Sequence, residues 1–465
     1  MDNKHQHAIV LGASVAGLLA ARVLADEFER VTVVERDQLP TAADNRRGVP
    51  HGRHVHTLLP SGADIIDELF PGLLNDLVEA GAPKLDDYTR LHFEPDGVHR
   101  LTPDGLVEPL HQASRPLLEA AVRTRVRGLT NVEILDGCAF VGLVASAARD
   151  RVTAARVVRD GGTAEQVLTA DLVVDATGRG SRTPAWLAEI GYRRPVEDEV
   201  VVNLRYTSRL IRIEPGAVPE QLVLIGPTPQ RPRTMSLFAY ENDTWLFTVS
   251  GYAGHHPVAD YQPMVDFAAP FAPPHIVAAL RTAEPLTDVS TFRFRANRRR
   301  RYDRMRHFPH GLLVIGDAMC SFNPIYGQGM SVAAKQAIVL RECLHRGDRH
   351  LARRFFRSAA KPIDTAWRMA VGADLALPQV QGPRPPTVRL INAYIHQILA
   401  AAEHDPIVAA RFLRVSALLE KPHRLMTPPI VARVIAARRR ARRLPPAVQP
   451  AIPSDALEPA ARLRR

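Results

Sequence analysis

Lysine and cysteine are both scarce in this 465-residue chain, and long uncharged apolar runs are missing. Three cysteines (Cys138, Cys320, Cys343) and no C-x-x-C exclude a disulfide framework, so a reducing compartment, the cytoplasm, is expected. Lysine stands only at positions 4, 84, 335, 361 and 421, so arginine supplies nearly all of the 60 cations behind the net charge of +11. No stretch reaches the roughly 20 uncharged apolar residues that a spanning helix needs, so no transmembrane segment is predicted. Arg22 interrupts the apolar run Ala8 to Ala25 and no cleavage pattern follows it, which argues against a signal peptide. The basic run Ala436 to Arg443 lacks interleaved aromatics for base stacking, and Arg293 to Arg306 reads as a solvated segment, so nucleic acid is not an expected partner. With 46% hydrophobic and 23% charged residues the composition is that of a folded globular chain, which excludes wholesale disorder.

The first forty residues hold a strand–turn–helix–strand pattern. His7 to Leu11 is a buried-type strand, Gly12-Ala13-Ser14-Val15-Ala16-Gly17 a glycine turn, Leu18 to Phe28 a helix, and Val31 to Val34 a second strand ending at Glu35. Gly12 permits a tight turn and Gly17 a close helix–strand approach. The helix N-terminus offers N–H groups to a pyrophosphate, and Glu35 stands where a carboxylate accepts from a ribose. Serine replaces the middle glycine of the usual fingerprint.

Arg46 to Leu59 (RRGVPHGRHVHTLL) is a loop with His51, His54 and His56. No cysteine or carboxylate clusters with them, so no metal site is expected; histidines and arginines lining an anionic cofactor is the preferred reading. Ser114-Arg115-Pro116 opens a helix, with Arg115 at its mouth. Leu172 to Asp175 runs into the turn Ala176-Thr177-Gly178, and Leu312 to Ile315 into Gly316-Asp317. The Pro324/Gly327/Gly329 loop then opens a helix from Ser331. Asp317 suits polyol hydroxyls. The N–H groups of Gly329 and Met330 suit an electron-rich ring edge that gains negative charge.

Together these segments resemble the FAD-dependent class A monooxygenases, the para-hydroxybenzoate hydroxylase and squalene epoxidase group, over 7–37, 46–60, 114–127, 172–183 and 311–340. GVPHGRHVHTLL, DATGRGSR and GDAMCSFNPIYGQGM look most like bacterial polyether-type polyene epoxidases. The resemblance implies an α/β, Rossmann-like FAD-binding fold with an inserted antiparallel β-sheet substrate domain and a C-terminal helical region. It implies FAD contacts from Gly12, Ser14, Val15, Ala16, Gly17, Glu35, Arg36, Arg53, Arg115, Asp175, Gly178, Asp317, Gly329 and Met330. Arg53, Pro324 and Gly327 would position the flavin and its peroxide, with no protein nucleophile. NADPH or NADH would be the donor, bound directly or acting through a flavin reductase; Thr177-Gly178 stands where many members carry Asp-Gly. The implied reaction is epoxidation of a lipophilic polyene with O2, through a flavin C4a-hydroperoxide, in antibiotic biosynthesis. An acyl carrier protein is a further conceivable partner. Hydroxylation and alkene reduction are the alternatives within flavin chemistry, and a non-catalytic basic flavoprotein that binds nucleic acid is the alternative outside it.

The expected domains are FAD-binding (1–85, 105–183, 296–345), a substrate sheet (86–104, 184–295), C-terminal helices (346–440) and a mobile Pro/Ala/Arg-rich tail (441–465). Val200 to Ile213, Gln221 to Ile225, Thr234 to Tyr240 and Asp243 to Tyr252 read as strands of that sheet. Phe238, Tyr240, Trp245 and Phe247 are its candidate cavity residues. The arginine segment 293–306 reads as a solvated stretch leading to the Leu312 strand.

Overall fold

The computed structural model describes residues 5–103, 105 and 107–441. The tail assigned to 441–465 therefore lies, beyond Ala441, outside the described residues.

The apolar run at the start forms β1 (His5–Leu11), fully buried from Ala8 onward. Helix α1 (Val15–Glu27) is buried on most sides because small and aliphatic residues surround its whole circumference. It ends at Phe28, whose extended backbone donates to Leu24 O and begins β2 (Phe28–Val34). Helix α2 (Arg115–Arg127) starts at Ser114, whose hydroxyl accepts from Leu117 N. β3 (Val132–Leu135) pairs with β2, β4 (Leu172–Asp175) pairs with β1 on its other side, and the strand Leu312–Val314 pairs with β4. These strands form one parallel sheet in the order Leu312–Val314, β4, β1, β2, β3. Leu11 is in register with both Val34 and Asp175, and Asp175 with Val314. The carboxyl ends of β1, β4 and the Leu312 strand therefore open side by side at the point where strand order reverses, the usual ligand crevice of such sheets.

A second sheet of eight strands stands beside it. Its core is β5 (Glu197–Arg212), β6 (Arg233–Tyr240), β7 (Thr244–Tyr252) and β8 (Ser290–Arg300), extended by Leu222–Ile225, Leu91–Glu94 and Cys320–Ser321. One face is covered by the helices Tyr261–Ala268 and Pro274–Thr282: Met235, Leu237, Phe247 and Val249 pack on Met264, Val265, Ile276 and Leu280. A three-stranded antiparallel sheet, Cys138–Ala145, Val152–Arg159 and Glu165–Thr169, links β3 to β4 and was not anticipated from the sequence.

The arginine segment is solvated only in part: Arg293, Arg295, Arg304 and Arg306 are exposed, and the others are not. Arg293 to Arg300 lies within β8, paired along β5; Arg293 and Arg295 are on its exposed face, whereas the strand's end is buried at consecutive positions. Arg299 and Arg300 are buried, bound to Asp364 (2.5 Å) and Glu197 (2.9 Å); Arg301 pairs with Asp198 and Asp303. These charges staple strand to strand and sheet to helix.

The last part is helical: α3 (Gly329–Leu344), α4 (Leu351–Asp374), α5 (Pro386–Ala402) and α6 (Pro406–Ser416), followed by Pro428–Ala441. Ile398, Leu399, Val408, Val415, Leu425, Ile430 and Val434 give α5, α6 and the final helix a core of their own, joined by Leu101. No described helix is long and apolar enough to cross a membrane.

Candidate active site

A continuous cavity of about 2380 Å³ runs from the glycine turn after β1, between the two sheets, to α5 and α6. Pockets for single small ligands are typically about 300–1,000 Å³, so this one has room for a cofactor and a second molecule.

At its first end Gly12 holds φ +104°, and a Cβ there would stand 2.7 Å from Ala176 O. Gly17 is not at the cavity surface; a Cβ on it would strike Gly12 O, so its part is helix–strand packing. Ser14, Val15 and Ala16 line the cavity, and the unbonded N–H groups of the first turn of α1 open there. Ser14 does not cap α1. Its hydroxyl accepts from Arg115 Nη2 (2.7 Å) and donates to Glu119 Oε2 (3.1 Å), which is how a side chain fits at the middle-glycine position.

Behind this turn lies a buried ion network. Glu35 accepts from Ala13 N (2.9 Å) and Asp37 N (3.0 Å). Arg46 reaches Glu35 (3.1 Å), Asp37 (3.0 Å) and Glu119 (2.7 Å). Burial disfavours the Arg46 charge, but Glu119 and Glu35 outweigh it and raise its pKa. Arg46 is thus the clamp of the turn. Its sequence signal was only membership of a basic loop, and its role was missed. Arg36 stays exposed at the cavity edge.

At the ends of the neighbouring strands, Asp175 faces inward rather than toward the cavity, a correction to its reading as a cofactor contact. It is fully buried and accepts from Thr177 N and Oγ1 (2.9 and 2.6 Å), Ser181 Oγ (2.5 Å) and Thr183 Oγ1 (2.5 Å). Four donors saturate it, so it shapes the turn that presents Gly178. Gly178 lines the cavity with open space where a Cβ would go. Asp317 also faces the cavity; the surrounding protein pushes its carboxyl pKa up, against the pull of Arg179, Arg115 and Arg298. Arg179 lies over the Phe294 ring and donates to Ser321 Oγ (2.5 Å).

Pro324, Gly327, Gly329 and Met330 line the middle of the cavity. Gly327, at φ +64°, closes the turn Pro324–Tyr326, and α3 begins without a side-chain cap, leaving its first N–H groups toward the cavity. This loop is anchored from below by Asp374, the last residue of α4 and fully buried. Its Oδ1 accepts from Asn323 Nδ2 (2.8 Å), Tyr326 OH (2.8 Å) and Tyr252 OH (3.3 Å), its Oδ2 from Asn297 Nδ2 (2.6 Å). Burial raises the Asp374 pKa to about 6, the hydrogen bonds pulling back. Nothing in the sequence linked position 374 to 323.

Arg53 is exposed and does not line the cavity, which corrects its placement beside the flavin; the one-turn helix Pro50–Arg53 turns it outward. The three histidines face in instead. His54 Nδ1 meets Ser208 Oγ (2.7 Å), and the His51 and His56 rings are 5.6 Å apart. Burial, then Arg53, lowers His54 to about 4; burial, then Arg115, lowers His56 to about 3. All three imidazoles are neutral at pH 7, since burial with Arg115 lowers His51 as well.

The far end is apolar: Tyr88, Leu91, Phe93, Leu222, Leu224 and Phe238 from one side, and Ile395, Leu399, Phe412 and Leu413 from the helices opposite. Of the four aromatic residues assigned to this wall, Phe238 is in it. Tyr240 is behind it, its hydroxyl joined to the backbone of His56 at N and O (2.7 Å each). Trp245 and Phe247 are a correction. They sit opposite Ala239 and Leu237 and share the face covered by the helices, not the cavity face.

The donor set fits a flavin dinucleotide: a glycine turn with no room for a Cβ, two uncapped helix starts and a carboxylate, all along one cleft. A family model described as an FAD binding domain matches residues 5–346. Protein Rv3254 of Mycobacterium tuberculosis is 38% identical over 450 residues, 94% of either chain. The kynurenine 3-monooxygenase of Salinispora tropica is 29% identical over 388 residues, 78% of either chain. Among solved structures, a flavoprotein/dehydrogenase from Cytophaga hutchinsonii superposes with a TM-score of 0.68 at 14% identity, over 95% of this chain and 99% of that one, a likeness of fold. The chain belongs to the FAD-binding-domain family and has the fold of the class A flavin monooxygenases.

Proposed function

We propose that this chain is a monooxygenase that epoxidises a carbon–carbon double bond of a lipophilic polyene or polyketide-type substrate in natural-product biosynthesis. The observation that carries this reading is the far end of the cavity, apolar on both walls and joined to the Pro324–Met330 loop without a partition. The neutral histidines beside that loop support it. With conjugate acids as strong as those of His54 and His56 they are weak bases, suited to a neutral alkene and poorly suited to removing a phenol proton.

In this reading the turn Gly12–Ala16 holds the pyrophosphate of FAD, with Arg115 beside it. Glu35 and Arg36 face the adenosine side and Asp317 the ribityl chain. Gly329 and Met330 direct N–H groups at the ring edge. Bound FAD, with electrons from NADPH or NADH and with O2, supplies an electrophilic oxygen atom. The apolar wall orients the alkene and excludes water. The kynurenine 3-monooxygenase relative favours a second reading, hydroxylation of an aromatic ring.

The test uses purified protein loaded with FAD, NADPH, air and a lipophilic polyene, with products weighed and then treated with acid. A product one oxygen heavier that opens to a diol supports epoxidation; one that resists opening supports hydroxylation. A product two hydrogens heavier would identify a reductase, and failure to retain any FAD would remove the basis of the proposal.

A further inference from the structure

The cavity mouth carries a group of side chains with no part in the flavin site. Asp96 follows the strand Leu91–Glu94, His99 stands three residues on, and His396 projects from α5. Asp96 Oδ1 is committed to its own turn, accepting from Val98 N (3.2 Å) and His99 N (2.9 Å). Oδ2 is turned to the two imidazoles, 2.8 Å from His99 Nδ1 and 3.5 Å from His396 Nδ1. The three donor atoms all lie within 4.8 Å of one another, and the two rings are 5.0 Å apart at 64°. The two segments are held together independently of these residues: Thr102 Oγ1 donates to Glu403 O (3.0 Å), and Leu101 is buried among Ile398 and Leu399. The juxtaposition is therefore built into the fold.

We propose that Asp96, His99 and His396 form a binding site for a divalent cation of the zinc class. Two imidazole nitrogens and one carboxylate oxygen are a donor set that zinc takes with three protein ligands and one open position. A tetrahedral ion with bonds of about 2.0–2.1 Å spaces its donors about 3.3 Å apart; the 2.8 and 3.5 Å separations straddle that spacing. Binding displaces the proton that joins His99 Nδ1 to Asp96, because the metal takes the Nδ1 lone pair: a neutral imidazole then carries its proton at Nε2, and an imidazolium releases one to solvent. Asp96 and His396 line the cavity, so the open position faces its interior, where a water or a ligand oxygen completes the shell. The bound ion would tie α5 to the end of the Leu91 strand and place a positive centre at the rim of the chamber.

The test is calorimetric titration of the FAD-loaded full chain with zinc chloride, alongside thermal melting with and without zinc. Wild-type protein should take up one equivalent and melt higher with zinc. His396→Ala, at an exposed position that folding does not need, should bind at least tenfold more weakly and lose the thermal shift while retaining full FAD. His99→Ala should do the same. Zinc binding by both variants equal to wild type would place the ion on other histidines. No saturable binding by wild type would leave His99 as a turn-capping hydrogen bond. Either result overturns the proposal, and neither bears on the monooxygenase reading.

Discussion

Gly12 and Gly178 both hold a left-handed backbone, at φ +104° and +72°, yet their surroundings differ. A methyl group on Gly12 meets Ala176 O at 2.7 Å, whereas none of the neighbouring atoms lies within 4 Å of one on Gly178. Gly12→Ala should therefore shift the turn and lose most bound FAD, read as flavin absorbance per chain after gel filtration. Gly178→Ala carries only the left-handed strain, about 1–3 kcal/mol, and should keep its FAD with a modestly lower melting temperature. Asp374 gives a pH prediction. Its folded pKa of about 6 lies above its ordinary value of 3.8, so the folded state binds the proton more tightly. Its contribution to stability is greatest below pH 3.8 and is lost as pH rises to about 6. Asp374→Asn should remove that segment of the melting-temperature profile; an unchanged slope between pH 4 and 6 would show that Asp374 does not titrate there. The sequence exposed Gly12 because glycine has few reasons to stand in such a turn. It concealed Asp374, whose partners lie 48 to 122 positions away, and it misdirected Asp175, because an aspartate at a strand end reads alike whether it faces a ligand or the hydroxyls of its own loop.

The elements themselves were legible wherever their pattern was local. β1, α1 and β2 were readable from an apolar run, a glycine turn and helical spacing, and β5 to β7 from β-branched and aromatic runs between turns. Which face of a strand meets a cavity was not legible, since both faces of β6 and β7 are buried, one by helices and the other by the cavity wall. Alternation then divides residues that composition cannot: Ser236, Phe238, Thr248 and Ser250 line the cavity, while Leu237, Phe247 and Val249 pack beneath the helices. Phe247→Ala should cost about 3–5 kcal/mol of stability and leave KM for the organic substrate near wild type in whatever fraction folds. Phe238→Ala should instead raise KM with a smaller loss of stability. The segment Arg293 to Arg306, with eight arginines in fourteen residues, reads as solvated charge, yet only Arg293 and Arg295 follow the exposed side of β8, while the consecutive Arg299, Arg300 and Arg301 at its end pair with Asp364, Glu197 and Asp198. A strand of arginine is stable there because each inward cation meets a carboxylate from a segment far away in sequence, which no local window reveals.

At the scale of the whole molecule, the dinucleotide turn and the apolar chamber are built by separate parts of the chain and meet at the loop Asn323–Met330 and the histidine loop beside it. The parallel sheet sets one boundary of the cavity, the second sheet a side, and α5 with α6 the far wall. Asp374 ties that loop to α4, whose Met369, Gly372 and Ala373 also face the cavity, so the cofactor loop and the chamber share one rigid support. This division predicts that the chamber can be narrowed without disturbing the cofactor. Ile395 is partly buried on α5 and faces the apolar end. Ile395→Trp places the added ring in open cavity rather than in packed core, so the overpacking that usually destabilises such substitutions is avoided. FAD content and melting temperature should stay near wild type. Turnover of a bulky lipophilic substrate should fall by about tenfold or more, the scale on which a pocket discriminates by volume. The donor should still be oxidised, with hydrogen peroxide accumulating in place of oxygenated product. Measuring NADPH consumed, peroxide formed and product formed on one sample checks all three. Loss of FAD along with turnover would show instead that the chamber and the dinucleotide cleft are mechanically one site.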